Sequence, residues 1–341
     1  MLIQVQKSKI VRPDSILPAP VAGMFDAAGS RYVSEELLSL ESTVYKYVGA
    51  PVLFPQMFNV TNAGAGKESV GYVQQSQFGQ AQFGSRGQTN IEPGGTTRRR
   101  YTRPILPIFS SYVLDWKDQE IGSVVGFNVD ADEAMAAKDR NFATLDLASI
   151  SGGANDELEE IKGILHFCNG GLAADNSIPK VTMTAWSGAT GKEIYEQVTN
   201  AIEAVYNNSK GKAMCRKVAM GFQARAYLHS EWVETTAGAG VMTVWKALQA
   251  EYGNQVTFLF NPLLDDVTFT GAPDETFSDA GVILAYDDNP LYHNFEVPQL
   301  FRILRPYKYN GGLSMEVQCL SECAGLAIKL LPAFAYGKGH T

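Results

Sequence analysis

The chain has 341 residues, enough for one large or two modest domains, with 45% hydrophobic residues and a net charge of −8. An acidic total argues against a dedicated nucleic-acid reader, which would carry a basic domain. No run of eighteen apolar residues is present, so no membrane-spanning helix is expected, and Met1–Lys7 lacks the apolar core and cleavage site of a signal peptide.

The first sixty residues read as an irregular arm. Pro13, Pro18 and Pro20 break any long element. Ser34 then opens a short amphipathic helix running to about Tyr45, which Pro51 and Pro55 close off.

Residues 68–107 behave differently from everything around them. Ten of these forty residues are apolar, while six are Gln, six Gly, four Thr and five Arg. Partial alternation, as in Ser69-Val70-Gly71-Tyr72-Val73-Gln74, predicts a β-hairpin turning near Gly84-Ser85-Arg86-Gly87. Strands of about fifteen residues at ~3.3 Å each would project ~50 Å. A compact chain of this length has a radius of gyration of only about 20 Å. An isolated two-stranded hairpin is marginal in water, so something outside the chain is expected to hold it. Five Arg against two Glu make the hairpin +3 and leave −11 on the rest, a pattern suited to pairing between copies of one chain. The dense cluster is Arg98-Arg99-Arg100 with Arg103. A solvated loop and a phosphate patch are the competing readings, but docking on an acidic face of a neighbouring subunit, where Arg offers bidentate pairing, is preferred. Arg86, Phe78 and Phe83 join these four as candidate interface residues.

Ile105 to Leu114 reads as an apolar return strand, followed by Asp115 capping a helix from Trp116. A second, Ala-rich helix runs from Asp130 through Leu147 and stops at Gly152-Gly153. Residues 180–290 read as an α/β unit. Its helix, Lys192 to about Asn207, opens on a Thr190/Glu193 capping box and carries Ile194, Val198, Ile202 and Val205 at helical spacing. Strands are expected at Val218–Met220, Val256–Phe260 and Val282–Tyr286, with a helix at Thr243–Glu251. From His293 onward the pattern is β, with a turn at Tyr309-Asn310-Gly311-Gly312 and a last strand at Ala324–Leu331 before Pro332.

Chemistry is hard to find. Ala63–Glu68 and Gly188–Glu193 resemble phosphate loops, but Thr61 and Trp186 stand where the first Gly belongs, and a Glu replaces the Ser/Thr after Lys. The four histidines (166, 229, 293, 340) lack metal-ligand spacing, and the four cysteines (168, 215, 319, 323) lack a framework. The cysteines are expected as buried, reduced thiols in a cytosolic setting. Asp265-Asp266 and Asp287-Asp288 are adjacent and turn-like, so they are expected as solvated loop acids. No catalytic, cofactor-binding or metal-ligating residue is assigned.

The order of parts resembles the Hong Kong 97 fold of tailed-bacteriophage major capsid proteins, a superfamily that includes the encapsulins. The residues that carry the likeness are Ile105–Val113 with Asp115-Trp116, the helix from Ala131 to Ala148, and Asp156–Leu165. Val256–Leu264 and the tail from Val297-Pro298 through Gly311-Gly312 to Pro332-Ala333-Phe334-Ala335-Tyr336 add to it. The Gly337-Lys338-Gly339-His340 ending departs from the Gly-Ile-Tyr ending usual in the branch compared, and no N-terminal scaffolding extension is visible. The resemblance implies an α+β capsid fold: an N-terminal arm (1–60), an extended hairpin loop (61–110) and a peripheral domain with a spine helix (111–179). An α/β axial domain (180–290) and a returning C-terminal β region (291–341) complete it. It further implies a non-enzymatic shell subunit that forms hexamers and pentamers of an icosahedral head around double-stranded DNA. Expected partners are other copies of the chain, a portal, scaffolding or decoration proteins, and DNA by weak non-specific contact, with no membrane and no cofactor. The place of action is the virion, assembled in the host cytoplasm. An encapsulin-type compartment, a minor phage head or decoration protein, and an α/β enzyme are the alternative readings.

Overall fold

The computed structural model describes residues 2–7, 43–47, 52–79, 94–117, 120, 129–152, 161–168, 177–234, 241–265, 267–269, 277–309 and 313–339. These fall into two units, one from Met1–Pro51, Ser111–Asp139 and Ile303–Gln318, the other from Val52–Ser110, Arg140–Arg302 and Cys319–Thr341.

In the first unit, Leu2–Lys7 pairs antiparallel with Thr43–Tyr47. This corrects the helix expected to reach Tyr45. Thr43, Val44 and Tyr45 are β-branched or aromatic and fit a strand once a partner exists. The remainder of that expected helix lies outside the described residues. Tyr307–Tyr309 pairs antiparallel with the start of Ser314–Cys323, and the Tyr112 hydroxyl donates to Asp130 Oδ1 over 3.0 Å.

The second unit is built on a five-stranded sheet ordered Thr257–Phe260, Lys217–Met220, Val282–Tyr286, Phe334–Lys338 and Lys180–Val181. Val282–Tyr286 runs antiparallel to both of its neighbours, and the outer pairs are parallel. Every residue of Val282–Tyr286 is buried, as expected of a strand covered on both faces. The helix Gly191–Asn208 lies on this sheet through Ile194, Val198, Ala201, Ile202 and Val205. Burial of each of its larger side chains stabilises by about 1.5–3 kcal/mol before entropy is charged. Its capping box is formed as the sequence predicts: Thr190 Oγ1 accepts from Glu193 N–H and the Glu193 carboxylate accepts from Thr190 N–H. The helix Val244–Tyr252 likewise starts on its Thr243 cap and ends at Gly253.

Further features differ from the sequence reading. Phe334–Lys338, not expected as a strand, occupies an interior place in the five-stranded sheet. Pro332 sits in a 3₁₀ turn before it and does not end the sheet. The β pattern from His293 onward is broken into His293–Glu296 and Gln299–Ile303, because Pro298 has no N–H to donate to a ladder. Phe54–Met57 is a helical turn with Pro55 in its first turn, where a missing N–H costs nothing. Phe54, Met57 and Phe58 are core residues and not part of a loose arm. Finally, Phe222–Ser230 forms a helix that the local sequence did not announce.

The long helix spans Val129–Ile150. Ala137, Asn141, Leu145 and Ala148 form its buried stripe. Asn141 Nδ2 donates to Ser321 Oγ over 3.0 Å, and Asp146 Oδ1 accepts from Leu53 N–H over 3.3 Å. Gly152, at φ +74, ends the element. A side chain there would strike the Ile161 carbonyl, and one at Gly163 would strike the Ile150 carbonyl.

Candidate subunit interface

The hairpin is the feature the sequence singles out. Ser69–Phe78 pairs with Gly95–Pro104 in unbroken antiparallel register, from Ser69 opposite Pro104 to Phe78 opposite Gly95. Each strand has ten residues among those described, ~33 Å at ~3.3 Å per residue, and the remainder of the expected ~50 Å lies outside the described residues. The expected turn, with Phe83 and Arg86, lies outside the described residues.

Alternation gives the ribbon two unlike faces. On one, Val70, Tyr72, Gln74 and their partners Arg103, Tyr101 and Arg99 are paired. The base of this face is tied to the unit that carries it. Tyr72 Oη donates to the Ile328 carbonyl over 3.2 Å, and Gln74 Nε2 donates to the Lys329 carbonyl over 3.2 Å. Arg103 approaches Glu296 to 3.7 Å, with both side chains 12% exposed. Tyr72 and Tyr101 stack at 5.2 Å. The opposite face pairs Val73 with Arg100 and Gln75 with Arg98, and all four are exposed.

The arginine cluster is therefore split by the pleat. Arg98 and Arg100 share the outward face, where Arg98 Nε donates to Gln75 Oε1 over 3.3 Å. Arg99 points to the other side, exposed, directly opposite the last tie at Gln74. Arg103 belongs to the interior: burial pulls its pKa below the ordinary value, and Glu296 opposes that shift. Phe78 stays 59% exposed, its ring lying over the bare Cα of Gly95.

A second polar cluster was missed by sequence reasoning. Lys217 Nζ contacts Asp288 Oδ2 at 2.8 Å and donates to the Gln56 carbonyl over 2.6 Å, while Asn59 Nδ2 donates to Asp288 Oδ1 over 3.1 Å. His293 lies beside them, fully buried, with its ring 5.3–5.9 Å from those of Phe58, Tyr286 and Phe334. Desolvation pushes its pKa down to about 4, so it is neutral at pH 7. Closed in by rings and held with its neighbours in one another's hydrogen bonds, the group ties the Phe54–Asn59 segment to the sheet.

The paired acids are likewise structural, which corrects their reading as solvated loops. The Asp265 carboxylate accepts from the N–H groups of Phe222 and Gln223 and so caps the helix Phe222–Ser230. Asp287 is buried, accepts from Met214 N–H over 3.1 Å and faces Arg216 at 3.5 Å. Asp266 has no described side chain. The loop at Ala63–Glu68 is an exposed turn in which Asn62 Oδ1 accepts from Gly64 N–H. All four cysteines are reduced and buried. Among the described residues there is no group of three or more His, Cys, Asp or Glu placed to hold a metal ion, and no helix long and apolar enough to cross a membrane.

The arrangement of hairpin, long helix and five-stranded sheet is a phage-capsid fold. The capsid of Myoviridae phage XM1 superposes with a TM-score of 0.71 at 15% identity, covering 93% of this chain and 99% of that one. A chain of Mycobacterium phage Bobi gives 0.63 at 12% identity, covering 93% and 99%. The capsid of the native GTA particle gives 0.62 at 13% identity, covering 94% and 100%. No curated protein matches the sequence. The model of the major capsid protein family matches residues 79–339, and the chain belongs to that family. It is a structural shell subunit of a phage head, assembling with copies of itself, and its place is the virion.

Proposed function

We propose that the chain forms hexamers and pentamers that close into an icosahedral head around double-stranded DNA, with the hairpin of each copy laid over a neighbour. The carrying observation is the outward face of the hairpin. Val73 is 61% exposed there, beside exposed Arg98 and Arg100. A two-stranded ribbon with such a face is marginal alone and gains its hydrogen bonds and apolar cover from a second surface. An acidic body on the neighbouring copy supplies the complementary charge.

In this reading the role is mechanical, with no chemical step of its own. A portal, scaffolding or decoration proteins and packaged DNA are further partners, the DNA held weakly and without sequence preference, and assembly takes place in the host cytoplasm. Electron microscopy of the purified protein tests the reading. Rings, sheets or closed shells are expected as concentration rises, whereas a chain that stays monomeric at high concentration overturns it.

A further inference from the structure

Between the hairpin base and the strand Gly325–Ile328 lies a pocket of about 460 Å³, within the range of small-ligand sites. Its lining is of three kinds. Tyr72 and Tyr101 contribute a stacked aromatic wall, Leu326, Ile328 and Leu331 an apolar one, and Arg103, Lys162 and Lys329 the positive charge. The chemistry at the charged end is incomplete. Among the described residues, all three guanidinium nitrogens of Arg103 are buried without a hydrogen-bond partner, as is Glu296 Oε2. At 3.7 Å, Glu296 offers charge attraction but no hydrogen bond. Leaving such donors unmade in a low-dielectric setting is costly. Lys329 Nζ is engaged by the Pro290 carbonyl at 3.5 Å, so Arg103 and Lys162 against Glu296 leave the lining with a positive excess.

We propose that this pocket is a socket for an acidic side chain carried by a second copy of the chain. Arg presents five N–H donors in a planar fork that suits a carboxylate, and the apolar wall suits the methylene stem leading to it. A free inorganic anion would satisfy the donors but leave that wall bare. Outside the hairpin the chain carries a net −11, so a neighbouring copy offers many carboxylates. The inference rests on the shell reading above and adds to it a specific point of engagement at the root of the hairpin, away from its outward face.

The test uses the full chain with Gln74, a half-buried pocket-lining residue on the same face as Tyr72 and Arg103, replaced by the photo-reactive benzoylphenylalanine. Unlabelled and ¹⁵N-labelled chains are mixed, assembled and irradiated, and the cross-linked peptides are read by mass spectrometry. Mixed-isotope pairs attached beside an Asp or Glu are expected. Assembled shells that yield only same-isotope pairs, or attachments remote from any acid, overturn the socket. Protection of the site by glutarate or phosphate in the unassembled chain, without mixed pairs in shells, overturns it in favour of a small-anion site. A parent chain that forms no shells defeats the shell reading itself, so the two failures are distinguishable. In parallel, Lys162→Glu is expected to reduce assembly about tenfold, the equivalent of ~1.4 kcal/mol per contact. The unfolding midpoint of the unassembled chain should stay unchanged, and Lys162→Arg should restore assembly. Full assembly by K162E overturns the proposal, and if that variant does not fold the cross-link still decides.

Discussion

The Tyr286 hydroxyl donates to the backbone carbonyl of Met57 over 2.6 Å, joining residues 229 apart in sequence. Tyr286 is fully buried, stacked on Phe334 at 5.3 Å and on Phe58 at 6.0 Å. One phenol thus fixes the Phe54–Phe58 segment to the central sheet. Tyr286→Phe keeps the ring and strands the carbonyl without its donor. The expected loss is about 1–3 kcal/mol, read as a lower urea midpoint with an unchanged slope.

The Arg103–Glu296 pair makes a sharper case. Arg103→Met leaves a buried carboxylate, and Glu296→Leu leaves a buried guanidinium. Each single change is expected to cost about 3 kcal/mol or more, whereas the double variant R103M/E296L regains most of it. Denaturant unfolding of the three unassembled variants closes the cycle. Simple additivity of the two losses would show that the residues do not interact.

Acid should loosen the fold through two imidazoles. Burial pushes the pKa of His293 and of His166 down to about 4, against about 6.5 in an unfolded chain. For His166 the proton has a visible consequence, because Nδ1 accepts from Gly163 N–H. The unfolded chain binds more protons between these values, so the contribution of both groups is complete above pH ~6.5 and declines as pH falls toward 4. Each can contribute a slope of up to about 1.4 kcal/mol per pH unit. Asp146 and Asp287 act in the opposite sense: burial raises both carboxyls, so their contribution is present at low pH and is lost as pH rises. His293→Phe is expected to flatten the stability profile between pH 7 and 4.5, measured by urea midpoints. An unchanged slope would remove His293 from the account.

The outward arginines should matter for assembly and not for folding. Replacing Arg98, Arg99 and Arg100 together by Ala is expected to leave circular dichroism and melting of the unassembled chain as they were, while shells seen by microscopy and sedimentation become scarce. Replacing only Arg98 and Arg100 should reproduce most of that loss, since they share the outward face. Loss of folded, unassembled protein would instead place the cluster in the core.

What the sequence made legible followed local rules. The hairpin strands, the Thr190/Glu193 box and the Ala-rich helix each announce themselves within a few residues. The missed parts depend on distant partners. The helix Phe222–Ser230 has its cap at Asp265, 43 residues away from Phe222. Phe334–Lys338 lacks alternation because the sheet buries it on both sides. In the candidate interface, parity within the strand already separates Arg98 and Arg100 from Arg99, Tyr101 and Arg103. That Arg103 turns inward could not be read, because Glu296 lies in an unrelated stretch of the chain.

The interior place of Phe334–Lys338 also bears on the order of events during synthesis. Val282–Tyr286 and Lys180–Val181 are both translated before the strand that lies between them. Until residue 338 has left the ribosome, each presents an unpaired edge to its surroundings. Closure of this sheet is thus a check on the whole message: a chain halted after Pro332 would hold most of the capsid fold's residues yet remain open at the sheet, marked for aggregation or degradation before it could enter a shell.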